Sequence, residues 1–208
     1  MIYFHSTNDF SIAGPSAVTL GKFDGVHKGH QLLMNRIHSL EDEGCVSVAF
    51  AIEAGRGPLL MTAQEQKKAI EDLGIQVLVR CPFLPEFSGM SPERFIEEIL
   101  LQRLHARYVV VGTDYHFGYQ RRGDALFLRE YGQSHGFETF IIEKALYQGR
   151  EISSSYIRDE LLAGKMEDVC AMLGDGYPVE GTVMHGAHLG SRLGMPTLNL
   201  VPDPVKLL

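Results

Sequence analysis

Between Ala17 and Gly174, short β-prone apolar runs alternate with segments of helical period. Residues 17–20 (AVTL), 45–50 (CVSVAF), 75–81 (IQVLVRC), 106–112 (ARYVVVG) and 137–145 (FETFIIEKA) read as strands. Residues 31–40, 62–74, 91–105, 123–136, 153–164 and 165–174 read as helices. In the first of these, Leu32, Leu33, Ile37 and Leu40 recur at helical spacing. Thr62 with Glu65 fits a capping box and Gly74 a stop, while Ser91–Pro92 fits a cap followed by a first-turn proline. Strands separated by helices of this length predict an α/β, Rossmann-like parallel sheet with helices on both faces. Such a sheet binds ligands at the carboxyl ends of its strands. After Gly174 the texture changes. "YPVEGTVMHGAHLGSRLGMPTLNLVPDPVKLL" is rich in Gly and Pro and lacks a helical period. It reads as the opening strands of a β-domain, with a boundary near residues 175–180.

Composition narrows the function classes. The 208 residues carry 26 acidic and 19 basic side chains, a net charge of −7, which argues against a general nucleic-acid-binding surface. No apolar run approaches the roughly 20 residues of a membrane span. The start "MIYFHSTNDF" lacks the basic and apolar regions of a signal peptide. Cys45, Cys81 and Cys170 are odd in number and lack metal-ligand spacing, which predicts reduced thiols in a cytoplasmic protein.

Residues 21–30, "GKFDGVHKGH", join the strand ending at Leu20 to the helix beginning near Gln31. A helix start presents unpaired N–H groups and a partly positive dipole end, which together hold phosphate. Glycines let the backbone approach a ligand closely. His27 and His30 bracket Gly29 and are candidates for stabilising negative charge on a reacting phosphorus centre, at roughly 3–4 kcal/mol per preplaced donor. Ser153, Ser154 and Ser155 precede a helix and offer hydroxyls to phosphate, and Arg158, read as lying on its first turn, offers a bidentate fork. Gly112 and Asp114 sit at a strand end, where Asp114 suits a ribose or base edge, or simply a turn. Asp24 fits a turn former or a metal-placing carboxylate, and Arg121 and Arg122 a solvated loop or a phosphate contact. No Ser-His-Asp or reactive-cysteine pattern argues for a covalent nucleophile.

"GKFDGVHKGH" resembles the signature of the adenylyl-transferring domain of bacterial riboflavin kinase/FAD synthetases, within the His-x-Gly-His nucleotidylyltransferase superfamily. "VVVGTDYHFGYQRRGD" (109–124) is similar to that family's Gly-x-Asp-Phe-x-Phe-Gly segment, and "ISSSYIR" (152–158) to its Ile-Ser-Ser-Thr-x-Ile-Arg segment. "LGMPTLNL" (193–200) resembles the Pro-Thr-x-Asn motif that opens the riboflavin kinase domain. The four motifs stand in the family's order. The resemblance implies a nucleotidylyltransferase-type domain over residues 1–176 and the incomplete start of a β-barrel kinase domain over 177–208. It implies transfer of the adenylyl group of ATP to FMN, giving FAD and pyrophosphate, with Mg²⁺ bridging phosphate oxygens. The carried-over catalytic residues are His27, His30 and Arg158. Those for the nucleotide and flavin are Gly21, Phe23, Asp24, Gly29, Gly112, Asp114, Ser153, Ser154 and Ser155. Thr197 and Asn199 match the kinase domain's Mg-ATP positions, and riboflavin phosphorylation is expected only with barrel residues beyond Leu208. Partners are the small molecules ATP, FMN and FAD, with neither nucleic acid nor membrane; the oligomeric state is left open. Tyr115, Phe117 and Tyr119 either wall a flavin pocket or pack in the core.

The chain departs from the family at residues 49–60, "AFAIEAGRGPLL", where members carry Thr-Phe-x-Pro-His-Pro, with Arg56 or Pro58 as candidate replacements. Two alternatives stand beside the main reading: a nucleotidylyltransferase with another acceptor, and a catalytically weak flavin- or nucleotide-binding protein.

Overall fold

A computed structural model describes residues 1–53, 57–186, 194–195 and 197–208; Arg56 lies outside them. The chain opens with β1 (Ile2–His5), β2 (Ser16–Gly21), α1 (Lys28–Ser39), a 3₁₀ turn (Leu40–Glu43), β3 (Val46–Ile52), α2 (Ala63–Asp72) and β4 (Val77–Cys81). Two short helices follow, α3 (Pro85–Ser88) and α4 (Pro92–Phe95), and the second runs into a π-helix (Ile96–Arg103). Next come β5 (Ala106–Gly112), a small hairpin of β6 (His116–Phe117) and β7 (Gly123–Asp124), α5 (Ala125–His135) and β8 (Glu138–Ile142). A second hairpin, β9 (Leu146–Tyr147) with β10 (Arg150–Glu151), leads to α6 (Ser154–Leu162) and α7 (Met166–Leu173). The last pair is β11 (Gly181–Met184) with β12 (Asn199–Pro202). No helix among the described residues is long and apolar enough to cross a membrane.

Six strands form one parallel sheet in the order β1-β4-β3-β2-β5-β8. From β2 the chain builds outward through β3 to β4, then returns to lay β5 and β8 on the other side. The order therefore reverses between β2 and β5, and a crevice opens where their carboxyl ends part. Gly21 ends β2 and Gly112 ends β5.

Side chains alternate along each strand, so the two faces fill different cores. Val18, Leu20, Val48, Phe50, Val77, Val79, Val109 and Val111 join Phe95, Ile96, Ile99 and Leu128 on one face. Ala17, Ala49, Ala51, Leu78 and Val110 join Met34 and Ile37 of α1 and Ile70 of α2 on the other. Each fully buried side chain such as Phe50 or Met34 stabilises the fold by about 1.5–3 kcal/mol. A third cluster, Leu60, Ile157, Leu161, Val169, Met172 and neighbours, seats α6 and α7.

The capping box of α2 forms as its residues predict: Glu65 N–H donates to Thr62 Oγ1 (3.2 Å) and Thr62 N–H to Glu65 Oε2 (2.8 Å). Glu65 is buried because Lys206, from the far end of the chain, donates to the same oxygen at 2.8 Å and to the Leu60 carbonyl at 2.7 Å. The predicted helix over 91–105 is instead α4 continuing as a π-helix. Strand β1 is absent from the reading of the sequence. It is a four-residue edge strand with Ile2 60 % exposed, so it carries no buried run to signal it.

Candidate active site

The turn from β2 into α1 needs backbone in the left-handed region at Phe23 (φ 52°), Gly25 (φ 94°) and Val26 (φ 41°). For a β-branched residue such as Val26 this costs on the order of 1–3 kcal/mol, and strain of this kind gathers at functional sites. Surrounding structure holds it in place. The Phe23 ring is fully buried, and the Gln66 side-chain amide donates to the carbonyls of Lys22 (2.9 Å) and Phe23 (3.1 Å). A Cβ at Gly29 would lie 3.1 Å from the His27 ring, so glycine there leaves the histidine its place.

His27 caps α1: its extended backbone ends the turn, and its Nδ1 accepts the His30 N–H at 3.4 Å. With Nδ1 an acceptor, the neutral ring carries its proton on Nε2. The His27 and His30 rings stack with centroids 3.6 Å apart, and Phe23 meets His30 edge-on at 5.2 Å. Burial lowers His27 from the usual 6.5 to about 4. Burial first, then the neighbouring His27, holds His30 well below 6.5. Both rings are therefore neutral near pH 7. The Nδ1 of His30 is buried and has no protein partner among the described residues.

These rings face a cavity of about 360 Å³ at the parting of β2 and β5. Gly21, Phe23, His27, Gly29 and His30 line it from the end of β2, the turn and α1, Gly112 and Asp114 from the end of β5 and just beyond it, and Ser153 and Ser154 from the start of α6. Ser153 caps α6, its Oγ accepting the Tyr156 N–H at 3.2 Å. Two helix N-termini thus meet at one cavity, with hydroxyls and imidazoles between them, a setting that favours anions.

Five of the residues that the resemblance carries over stand outside that lining. Ser155 is exposed on α6. Asp24 is 5 % exposed; its carboxylate pairs with Arg158 and accepts the Met61 N–H at 3.1 Å. Burial is the largest influence on that carboxyl and raises its pKa, against the Met61 hydrogen bond and the Arg158 charge. Arg158 is the fifth residue of α6, one turn beyond the position expected, and its guanidinium meets Asp24. Ser154 Oγ also donates to the Asp24 carbonyl at 2.8 Å, so the turn and α6 are tied together twice. Thr197, two residues before β12, and Asn199, its first residue, are exposed and do not line the cavity.

Other residues emerge only from the fold. Lys144 follows β8 by two residues as Asp114 follows β5 by two, and Gly112 pairs with Ile142. The lysine Nζ reaches Asp114 at 2.9 Å and Glu151 at 2.7 Å while lining the cavity. Lys22 brings another cation, and Arg121, for which the sequence allows a solvated loop or a phosphate contact, joins it in the lining. Beside the first cavity lies a second of about 230 Å³, walled by Phe83, Phe87, Phe95 and Phe117. Lys22, Ile52, Tyr115, His116 and Arg121 border both. Tyr119, by contrast, is half exposed and borders neither.

The family model described as FAD synthetase matches residues 10–156, and that described as riboflavin kinase matches 173–207. The bifunctional riboflavin kinase/FMN adenylyltransferase of Buchnera aphidicola subsp. Schizaphis graminum is 33% identical over 196 residues, covering 89% of this chain and 63% of that protein. The Listeria monocytogenes protein of the same description is 31% identical, covering 96% and 67%. The Escherichia coli K12 protein is 28% identical, covering 88% and 62%. A crystal structure described as a macrolide-efflux protein from Streptococcus pneumoniae superimposes with a TM-score of 0.89 at 26% identity, covering all of this chain and 71% of that one. The chain thus spans 63% of the length of the first of these curated relatives. With the FAD synthetase model matched from residue 10 to 156 and the riboflavin kinase model taking up at 173, the chain belongs to the FAD synthetase family.

Proposed function

We propose that this chain is an FMN adenylyltransferase, joining the adenylyl group of ATP to the phosphate of FMN. The observation that carries the reading is the meeting of two helix N-termini and two stacked neutral histidines at a cavity that shares five lining residues with an aromatic one. A phosphate oxygen of FMN attacks the α-phosphorus of ATP in line. The bond from that phosphorus to the bridging oxygen breaks, and pyrophosphate departs with the electron pair. The protein supplies position and charge.

In this reading the imidazole N–H groups of His27 and His30 meet the negative charge that builds on the α-phosphate and the leaving group. Ser153, Ser154 and the N–H groups of both helix starts receive the triphosphate. Gly21 and Gly29 leave room for it, and Phe23 braces His30. Gly112 and Asp114 take the ribose or base edge. Arg158 reaches polyphosphate oxygens by exchanging Asp24 for them. The flavin ring lies among Phe87, Phe95 and Phe117, with its phosphate toward the histidines.

Among the described residues no group of three or more His, Cys, Asp or Glu is arranged to hold a metal. Mg²⁺ commonly binds through substrate phosphates and only one or two protein oxygens, and the exposed Thr197 hydroxyl and Asn199 amide are oxygen donors of that kind for the kinase portion. When bound, Mg²⁺ would neutralise polyphosphate charge. Riboflavin phosphorylation by the complete protein, and a cytoplasmic location free of nucleic acid, belong to the same proposal. The test is pyrophosphate release from ATP and Mg²⁺ with FMN and riboflavin as separate acceptors. Release with FMN alone, together with FAD formation, is the expected result. Binding of either substrate with no release would instead mark a ligand-binding protein.

A further inference from the structure

Tyr115 borders both cavities at their junction. Its ring stacks on Phe117 with centroids 5.7 Å apart and planes 13° from parallel. Its hydroxyl oxygen is buried, and no protein group among the described residues hydrogen-bonds to it. Burial alone pushes the phenol well above the usual 10, so it stays protonated. A phenylalanine would make the same stack without leaving a polar atom unsatisfied. A buried hydroxyl without a partner is destabilising unless something else completes it, and the residue that carries this one borders both cavities.

We propose that Tyr115 is a specificity residue whose hydroxyl binds the polyhydroxylated chain of the flavin phosphate as it crosses from the aromatic cavity to the histidines. This rests on the acceptor reading given above. A ligand with its ring among Phe87, Phe95 and Phe117 and its phosphate at His27 and His30 must thread its connecting chain past the junction. Lys22 and Arg121, the cations there, suit an anion. A neutral phenol, able both to donate and to accept, matches an alcohol. The residue thereby separates flavin phosphates with a hydroxylated chain from those without.

The test is a double-mutant cycle on binding. Dissociation constants are measured by flavin fluorescence for FMN and for a flavin carrying a phosphopentyl chain of equal length but no hydroxyls, on the wild type and on Tyr115→Phe. The wild type is expected to prefer FMN by about tenfold, one hydrogen bond's worth. Tyr115→Phe should lose that preference by weakening FMN alone. Its affinity for a non-hydrolysable ATP analogue and its melting temperature should hold or rise. Equal FMN affinity in both proteins, equal loss of both flavins, or a fall in melting temperature would each overturn the inference. A wild type that binds neither flavin phosphate while binding the ATP analogue overturns the acceptor reading itself.

Discussion

Replacing His27 with Asn should change how stability responds to acid. Asparagine keeps the cap, because its Oδ1 takes the place of the Nδ1 that accepts the His30 N–H. It removes the titration together with the ring stack on His30, a loss common to every pH. In the folded protein burial holds His27 at about 4, against 6.5 for an ordinary histidine. Between these values the unfolded chain binds a proton that the folded chain refuses, so stability rises with pH through that window. It is complete above pH 6.5 and is lost as pH falls toward 4. A shift of this size corresponds to about 3 kcal/mol. His30 is shifted the same way and adds to the slope. Asp24 acts oppositely: its carboxyl is raised above 3.8, so its effect on stability declines as pH rises from that value.

The comparison of wild type with His27→Asn reads the His27 ring together with its smaller influence on His30. Urea unfolding at pH 4, 5, 6 and 7 gives both profiles. The wild type should lose about 3 kcal/mol more than the variant between pH 7 and pH 4. Parallel profiles would refute the argument, as would a His27 Cε1 proton resonance titrating near 6.5. The same depression makes a functional prediction. A triphosphate beside the rings favours their charged forms, so nucleotide binding should take up protons. Calorimetry in buffers of different ionisation enthalpy reads that uptake directly.

His30→Ala should lower kcat about 10²–10³-fold while leaving the dissociation constant of an ATP analogue nearly unchanged, because its role lies in charge that develops during transfer; equal losses in both would assign it to ground-state binding. Lys144→Met leaves Asp114 and Glu151 uncompensated beside the nucleotide, so analogue binding should weaken several-fold, with Arg restoring it and flavin binding unmoved. Because the three groups are partly exposed, its stability should change by less than about 1 kcal/mol. Lys206→Met strands the buried Glu65 carboxylate and should cost about 3–5 kcal/mol in urea unfolding, with Glu65→Gln on top recovering part of the loss.

How far the sequence reveals this molecule depends on whether the partners of a residue are its chain neighbours. Strands β2, β3 and β5 are apolar on both faces, so Val18, Phe50 and Val110 mark them without reference to anything distant. The Thr62–Glu65 box is legible because its two members stand three residues apart. Lys206, which makes that glutamate a buried ion, stands 141 residues away and gives no local sign. The site divides along the same line. His27 and His30 declare themselves within one turn, as do the serines that begin α6. Asp24 and Arg158 each look like a free ligand when read in their own segments. Folded, they meet each other, and Ser154 bonds the carbonyl of the same aspartate. This contact is what sets two helix N-termini, built from opposite ends of the domain, at one distance from one cavity. The anion-binding chemistry can therefore be read from short segments, whereas the distance between its two halves follows from the strand order that places β2 beside β5. A substitution that loosens the Asp24–Arg158 contact should accordingly disturb the spacing of the phosphate-binding groups while leaving each group intact.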